Sequence, residues 1–502
     1  MRRALLAAFG ALALLAWRAD AAAFGFADVA RRAQALAEAS HARRGGDLPK
    51  ELQQLKYEDY KDIRFRPERA WWRGQGLPFE LEFFHEGMYF DQPVKINEVD
   101  AAGVREIRYD ATAFDFGANK LDPKGWKGVG FAGLRVHYAL NDRKYKDEVL
   151  AFLGASYFRA LGQGQMYGLS ARALALDTGL TTGEEFPRFV EFWIERPAPG
   201  DRQLTLYALL DSPRVAGAYR FVLKPGAETA MEVKARLYFR AGVGKLGLAP
   251  LSSMYYFGLN QHADHDDYRP ATHDSGGLSV NAGNGEWIWR PLVNPKRLLV
   301  TSFATVDPRG FGLQQRDRRF SSYEDLAARY DLRPGVWIEP KGRWGAGRVE
   351  LVQLPTPDET NDNIAVYWVP DRAPAPHAPF DLEYRLLWQK DTEQRPPLLW
   401  ALQTLRGRGY VPKPDDGIWL QVDFVGTPPP APDDAEMKAA IYVDDNAEVL
   451  HSRVEPNAVR AGWRLVLRLH RRDAAKPVEM RAYLHRANAP ASETWSYILP
   501  PE

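Results

Sequence analysis

Short runs of β-branched and aromatic residues, bounded by Gly, Pro, Asn and Asp, succeed one another along almost the whole chain. Such runs read as strands. Examples are Glu148–Leu153, Phe189–Glu195, Leu204–Leu210, Ala218–Leu223, Met231–Phe239, Arg297–Phe303 and Phe380–Trp388. No helical pattern alternates regularly with them, which argues against a parallel α/β sheet and for a large antiparallel sandwich. Only two helices are expected. One is Asp28–Ser40, capped by Asp28, with Val29, Ala33, Leu36 and Ala37 on one face. The other is Tyr323–Tyr330, with Ser322 as cap and Asp325 three residues on.

A polar segment ending in Pro396-Pro397, residues 391–397, marks the best break in the chain. It separates a large β-sandwich, 24–390, from about 100 residues of shorter strands, 398–502. Those strands alternate cleanly: Ile418, Leu420, Val422 and Phe424 share a face, as do Trp463, Leu465, Leu467 and Leu469, and Val478, Met480, Ala482 and Leu484. This period of two fits a smaller immunoglobulin-like β-sandwich without the disulfide. The fold class is therefore all-β, two sandwiches in series.

Residues 1–23 read as a signal peptide: Arg2 and Arg3, an apolar run Ala4–Trp17, then Ala21-Ala22-Ala23 before Phe24. The pattern fits the general secretory route better than twin-arginine export. It implies a periplasmic protein that is not embedded in the membrane. With no cysteine in the chain, thiolate catalysis, iron–sulfur clusters and cysteine-bound zinc are excluded, and an exported fold must be stabilised by its core alone. The net charge is +1, and removal of residues 1–23 takes away Arg2, Arg3, Arg18 and Asp20 and leaves −1. Such a chain has no global field for nucleic acid or an anionic membrane.

Chemistry concentrates in three segments. Between the strand-like runs Val349–Leu354 and Ile364–Val369 lies a polar tip carrying Asp358, Glu359 and Asp362. Carboxylates that crowd a hairpin tip repel one another; water ordinarily relieves this, and loop Asp most often serves turn chemistry. Under a substrate cleft, desolvation instead raises a carboxyl pKa and leaves a proton donor near neutral pH. The segment 261–277 holds His262, His265, His273, Asp264, Asp266, Asp267, Tyr268, Arg269 and Asp274. Its spacing matches no zinc pattern, and a solvated loop is the simpler reading. HDSGG resembles a serine-protease motif but lacks the preceding glycine and separate triad partners. In the third segment, Trp287 and Trp289 share a strand face, with Glu286 and Arg290 beside them. They could stack on sugar rings or simply fill a sandwich core. Trp71, Trp72, His85, Glu86, Tyr89 and Asp91 pose the same choice. Nothing requires a metal or an organic cofactor.

Several long strings resemble the periplasmic glucan biosynthesis protein G/D family: LEFFHEGMYFDQPVKINEV (81–99), LGASYFRALGQGQMYGLSARALALDT (153–178), GEEFPRFVEFWIERP (183–197), YRPATHDSGGL (268–278), NAGNGEWIWRPL (281–292), PTPDETNDNI (355–364) and SETWSYILP (492–500). The resemblance runs from about Phe24 to the C-terminus and implies the same two-sandwich architecture. It implies a role in osmoregulated periplasmic glucan biosynthesis, and for some members endo-acting, inverting hydrolysis of β-1,2-glucan. Carried onto this sequence, the general acid falls on Asp362 and the base on Asp274, with Glu359 in the same pocket. Tyr268, Arg269, Trp287, Trp289, Glu286 and Asp358 are the expected substrate contacts. The alternative is a non-catalytic glucan-binding or assembly factor. The expected partners are a β-glucan and the inner-membrane glucan glucosyltransferase.

Overall fold

The computed structural model describes residues 24–502, apart from 44, 46, 47, 410–414 and 431–434. The signal peptide expected over 1–23 lies outside the described residues. Two large sheets face one another. One has ten strands and runs from Phe79–His85 at one edge to Leu299–Val306 at the other. The second has fifteen and runs from Gly103–Glu106 to Met437–Val443. Nearly all neighbours are antiparallel; in the large sheets the exceptions are Arg188–Glu195 with Lys95–Asp100 and Trp287–Pro291 with Thr494–Leu499. Between the sheets lies a single apolar core that includes Phe158, Leu206, Phe221, Leu251, Leu313 and Trp388. This is the expected all-β sandwich.

The C-terminal strands make a second sandwich. A four-stranded sheet, in order Trp400–Gly407, Ile418–Val425, Gly462–Arg471 and Ala447–Asn457, packs on the end of the fifteen-stranded sheet. The alternating residues do what their period dictates: Leu420, Val422, Phe424, Leu465, Leu467, Leu469, Val478, Met480 and Leu484 are all fully buried there. The two sandwiches share a sheet, because Ile288 and Trp289 pair in parallel with Thr494 and Trp495. Trp289, Val293 and Leu299 belong to the smaller core.

The first helix spans Phe26–Glu38 and buries Val29, Ala30, Ala33 and Ala37 against Trp193, Tyr207, Ala216 and Ala218. Its cap is Gly25, not Asp28. Asp28 lies in the first turn and accepts the Gly25 N–H at 2.8 Å, so its charge still faces the positive end of the helix dipole. The helix expected over Tyr323–Tyr330 does not form. Short 3₁₀ turns occupy Phe320–Ser322 and Tyr330–Leu332. Glu324 and Arg329 take φ of 52° and 42°, which no right-handed helix admits. Ser322 donates to Asp317 instead of capping, and Asp325 accepts the N–H groups of Ala327 and Ala328 at 2.9 and 2.8 Å. Local side-chain bonds have outcompeted the helix.

Candidate functional site

The hairpin forms as its alternation dictates, with strands Ala346–Gln353 and Ile364–Pro370 closing at the pair Gln353–Ile364. Its neighbour is Leu246–Ser253, whose Ser253 pairs with Ile364. Just beyond, Met254 and Tyr255 hold two distant pieces of chain together. Asn363, next to Asp362, accepts the Tyr255 N–H at 2.8 Å and donates to the Tyr255 and Leu354 carbonyls, each at 3.0 Å. Tyr255 also pairs with His273, and the Asp274 N–H donates to the Met254 carbonyl at 2.9 Å. One two-residue bridge thus fixes the backbone beside Asp362 and beside Asp274.

The two carboxyls are both raised. Burial pushes Asp274 up, and the charge of Asp362 adds to this, against the opposing pull of Arg333 and Arg159. Asp274 is only 6% exposed and pairs with Arg333. Asp362 remains open to water, yet enough protein surrounds it for desolvation to dominate, against Arg159, Arg172 and Arg333. Asp362 thus combines access to water with crowded surroundings. Arg159 and Arg333 act on both groups, so the two aspartates share one electrostatic site. These arginines are held in turn. Arg159 Nε donates to Ser170 Oγ at 2.7 Å, Arg172 pairs with Glu184 at 2.6 Å, and the Arg333 guanidinium lies 4.2 Å from the Tyr330 ring centre. The Tyr330 hydroxyl stands in the fields of Arg333, Glu359, Asp274 and Arg269, and burial keeps it protonated.

The rest of the hairpin tip divides. Glu359 accepts an ion pair from Arg269 at 2.8 Å. Asp358 points into water, where bonds from the Thr360 side chain and N–H hold its carboxyl below the usual value. Tyr268 is 79% exposed. Arg269 is occupied by three carboxylates, those of Asp267, Asp325 and Glu359. The structure therefore gathers Asp362, Asp274, Glu359 and Arg269, but places Glu286, Trp287 and Trp289 in other company. Glu286 accepts from Arg481 and Thr494 at the seam between the sandwiches. Trp287 stacks on Trp337 at 5.5 Å, and Trp289 is buried with the Arg316 guanidinium 3.6 Å from its ring centre. Arg290 is fully buried and forks onto Glu479 at 2.7 and 2.8 Å.

The histidines of 261–277 do not converge. His273 is stacked on Tyr255 and pushed down to about 4 by burial. His265 lies over Tyr256, and His262 bonds the Arg406 carbonyl. Ser275 is fully buried against Ser253 Oγ at 2.8 Å, which leaves no exposed nucleophile there. Near the N-terminus, Trp72 donates to Glu98, and Glu86 is raised to about 7 by burial while its carboxylate holds the Gly130 N–H at 2.6 Å. Sequence reasoning missed Arg159, Arg172, Arg333 and Tyr330. Only the first two fall in a family-like string, 153–178.

Fold and site together define a two-sandwich all-β protein with a carboxylate pair set among guanidinium groups. Residues 24–499 match the family described as periplasmic glucan biosynthesis protein, MdoG. The chain is 57% identical to the glucans biosynthesis protein G of Ralstonia nicotianae, over 98% of this chain and 99% of that one. It is 52% identical to proteins of the same name from Pseudomonas paraeruginosa and Pseudomonas aeruginosa, over 100% of this chain and 97% of each. The chain belongs to the periplasmic glucan biosynthesis protein family.

Proposed function

We propose that this chain serves periplasmic glucan biosynthesis by cutting β-1,2-glucan backbones internally, with inversion, Asp362 acting as general acid and Asp274 as base. The observation that carries this reading is the pair itself: two carboxyls from distant segments, both raised by burial, within one set of arginines. An inverting glycosidase needs one protonated carboxyl for the leaving oxygen and one ionised carboxyl for the attacking water. Asp362, reachable by solvent and raised, suits the donor. Asp274, paired with Arg333, is the member whose anion is stabilised by a neighbour. Tyr330, in the field of Asp274, offers a hydroxyl through which that base could reach a water. The leader expected over residues 1–23 and the family's name favour the periplasm as the place of action.

The competing reading is a glucan-binding or assembly factor that works with the inner-membrane glucosyltransferase. It draws on the second sandwich, whose strands Ala447–Asn457 and Met437–Val443 carry exposed Leu450, Val449 and Tyr442. Proton NMR of purified protein with linear β-1,2-glucan separates the two. The hydrolase reading expects new reducing ends that appear first as the α-anomer. Binding without any new reducing end would leave only the assembly reading.

A further inference from the structure

We propose that Arg269 is a positioning residue, the clasp that holds the apex of the 355–363 hairpin down and so sets where Asp362 points; this rests on the hydrolase reading above. The root of the hairpin is well secured. Thr356 and Asn294 exchange two hydrogen bonds of 3.0 Å, and Asn363 is bound to Tyr255 and Leu354. The apex is different. Asp358, Thr360 and Asn361 bond only within the hairpin. Among the described residues, the ion pair of Glu359 with Arg269 is the one polar contact that ties the apex to anything else. Asp362 lies between the secured root and this single tether.

Arg269 is built for the task. Its Nε and Nη2 fork onto the two oxygens of Asp267 at 3.1 and 2.8 Å, which fixes the plane of the guanidinium. Nη1 is then presented to Asp325 at 3.2 Å and to Glu359 at 2.8 Å. Asp325 is itself fixed by the N–H groups of Ala327 and Ala328. Asp267, Asp325 and the guanidinium are largely shielded, whereas the Glu359 side chain is 36% exposed. Three carboxylates compete for one cation, and the solvated one is the most readily released. The clasp joins three otherwise separate loops, 261–270, 320–330 and the hairpin apex, around one charge. Nε and both terminal nitrogens of Arg269 are thus each engaged by a protein carboxylate.

The test compares wild type with Arg269→Met, Arg269→Lys and Glu359→Gln. Hydrogen exchange of the peptide covering 355–363 and initial rates on linear β-1,2-glucan are measured side by side. The clasp predicts faster exchange at the apex in Arg269→Met, with kcat lower by about 100-fold, the scale of a misplaced catalytic group, and KM little changed. Arg269→Lys keeps the charge without the fork and restores part of kcat. Glu359→Gln gives the same pattern at the apex, and combining it with Arg269→Met adds little there, because both break the Arg269–Glu359 tether. Unaltered apex exchange would overturn the clasp, as would a rise in KM alone, which would make Arg269 a direct glucan contact. Should wild type show no turnover, the exchange result still decides the clasp while the hydrolase reading falls separately. If Arg269→Met does not fold, Glu359→Gln carries the same two readouts.

Discussion

Asp362 in the large sandwich and Asp423 in the small one are both aspartates surrounded by protein, and their charges are treated in opposite ways. Burial alone would raise Asp423, but Arg464 forks onto it at 2.6 and 2.8 Å, Gln403 donates at 2.7 Å and Asn457 at 2.9 Å. The bonds win, and its carboxyl is held below the usual value. Asp362 has arginines nearby but no hydrogen-bond donor on its carboxyl among the described residues, and burial wins. A buried charge that serves the fold is satisfied by bonds. One left with an affinity for its proton is a candidate for chemistry.

The largest expected contrast is in turnover. On the proposed hydrolase reading, Asp362→Asn should lower kcat on β-1,2-glucan by about 10²–10⁴-fold, the usual worth of a general acid. At neutral pH it should melt at or above wild type. The sign follows from linkage: a carboxyl raised in the folded state costs stability once pH passes from its unfolded to its folded pKa, and Asn carries no such cost. The advantage of the variant should vanish below both values. A variant that melts lower at pH 7 would mean that the Asp362 charge is satisfied after all.

Asp423→Ala should do the reverse. It leaves Arg464 without its buried partner and should cost about 3–5 kcal/mol in urea or thermal unfolding. Because the Asp423 carboxyl is lowered, the stability it supplies is present above its unfolded pKa and lost as pH falls through the folded one. The gap between wild type and variant should therefore narrow in acid. A smaller effect is expected from Arg159→Met. Removing a cation that favours the ionised form of both aspartates should move both limbs of the pH–rate profile to higher pH. Movement of one limb alone would place Arg159 next to only one of them. Smallest of all, Asp358→Asn should leave turnover and melting close to wild type, since that carboxylate bonds only Thr360 in open water.

The same contrast explains what the sequence disclosed. The hairpin was legible because period-two alternation and turn residues are local, and the face shared by Leu420, Val422 and Phe424 was legible for the same reason. Asp362, Asp274 and Glu359 came from strings resembling a family, and the fold brings all three together with Arg269. The arginines that tune them were not legible. Arg333 reaches Asp274 across 59 residues of chain, and nothing local distinguishes it from Arg319, which merely pairs with Asp317 two residues away. Trp287, Trp289 and Glu286 were expected at the substrate because aromatic and acidic residues side by side suit sugars. Their partners, Trp337, Arg316 and Arg481, come from distant parts of the chain and engage them instead. The helix over Tyr323–Tyr330 failed because Asp325 serves the Arg269 clasp and its own turn.

Carbon-13 NMR titration of aspartate side-chain carboxyls, assigned with Asp362→Asn, Asp274→Asn, Asp423→Asn and Asp358→Asn, reads this account most directly. Asp362 and Asp274 should take up their protons above the usual aspartate value of 3.8, and Asp423 and Asp358 below it. Titration of Asp362 at or below the value of Asp358 would contradict the account, because Asp362 would then hold no proton for the proposed chemistry.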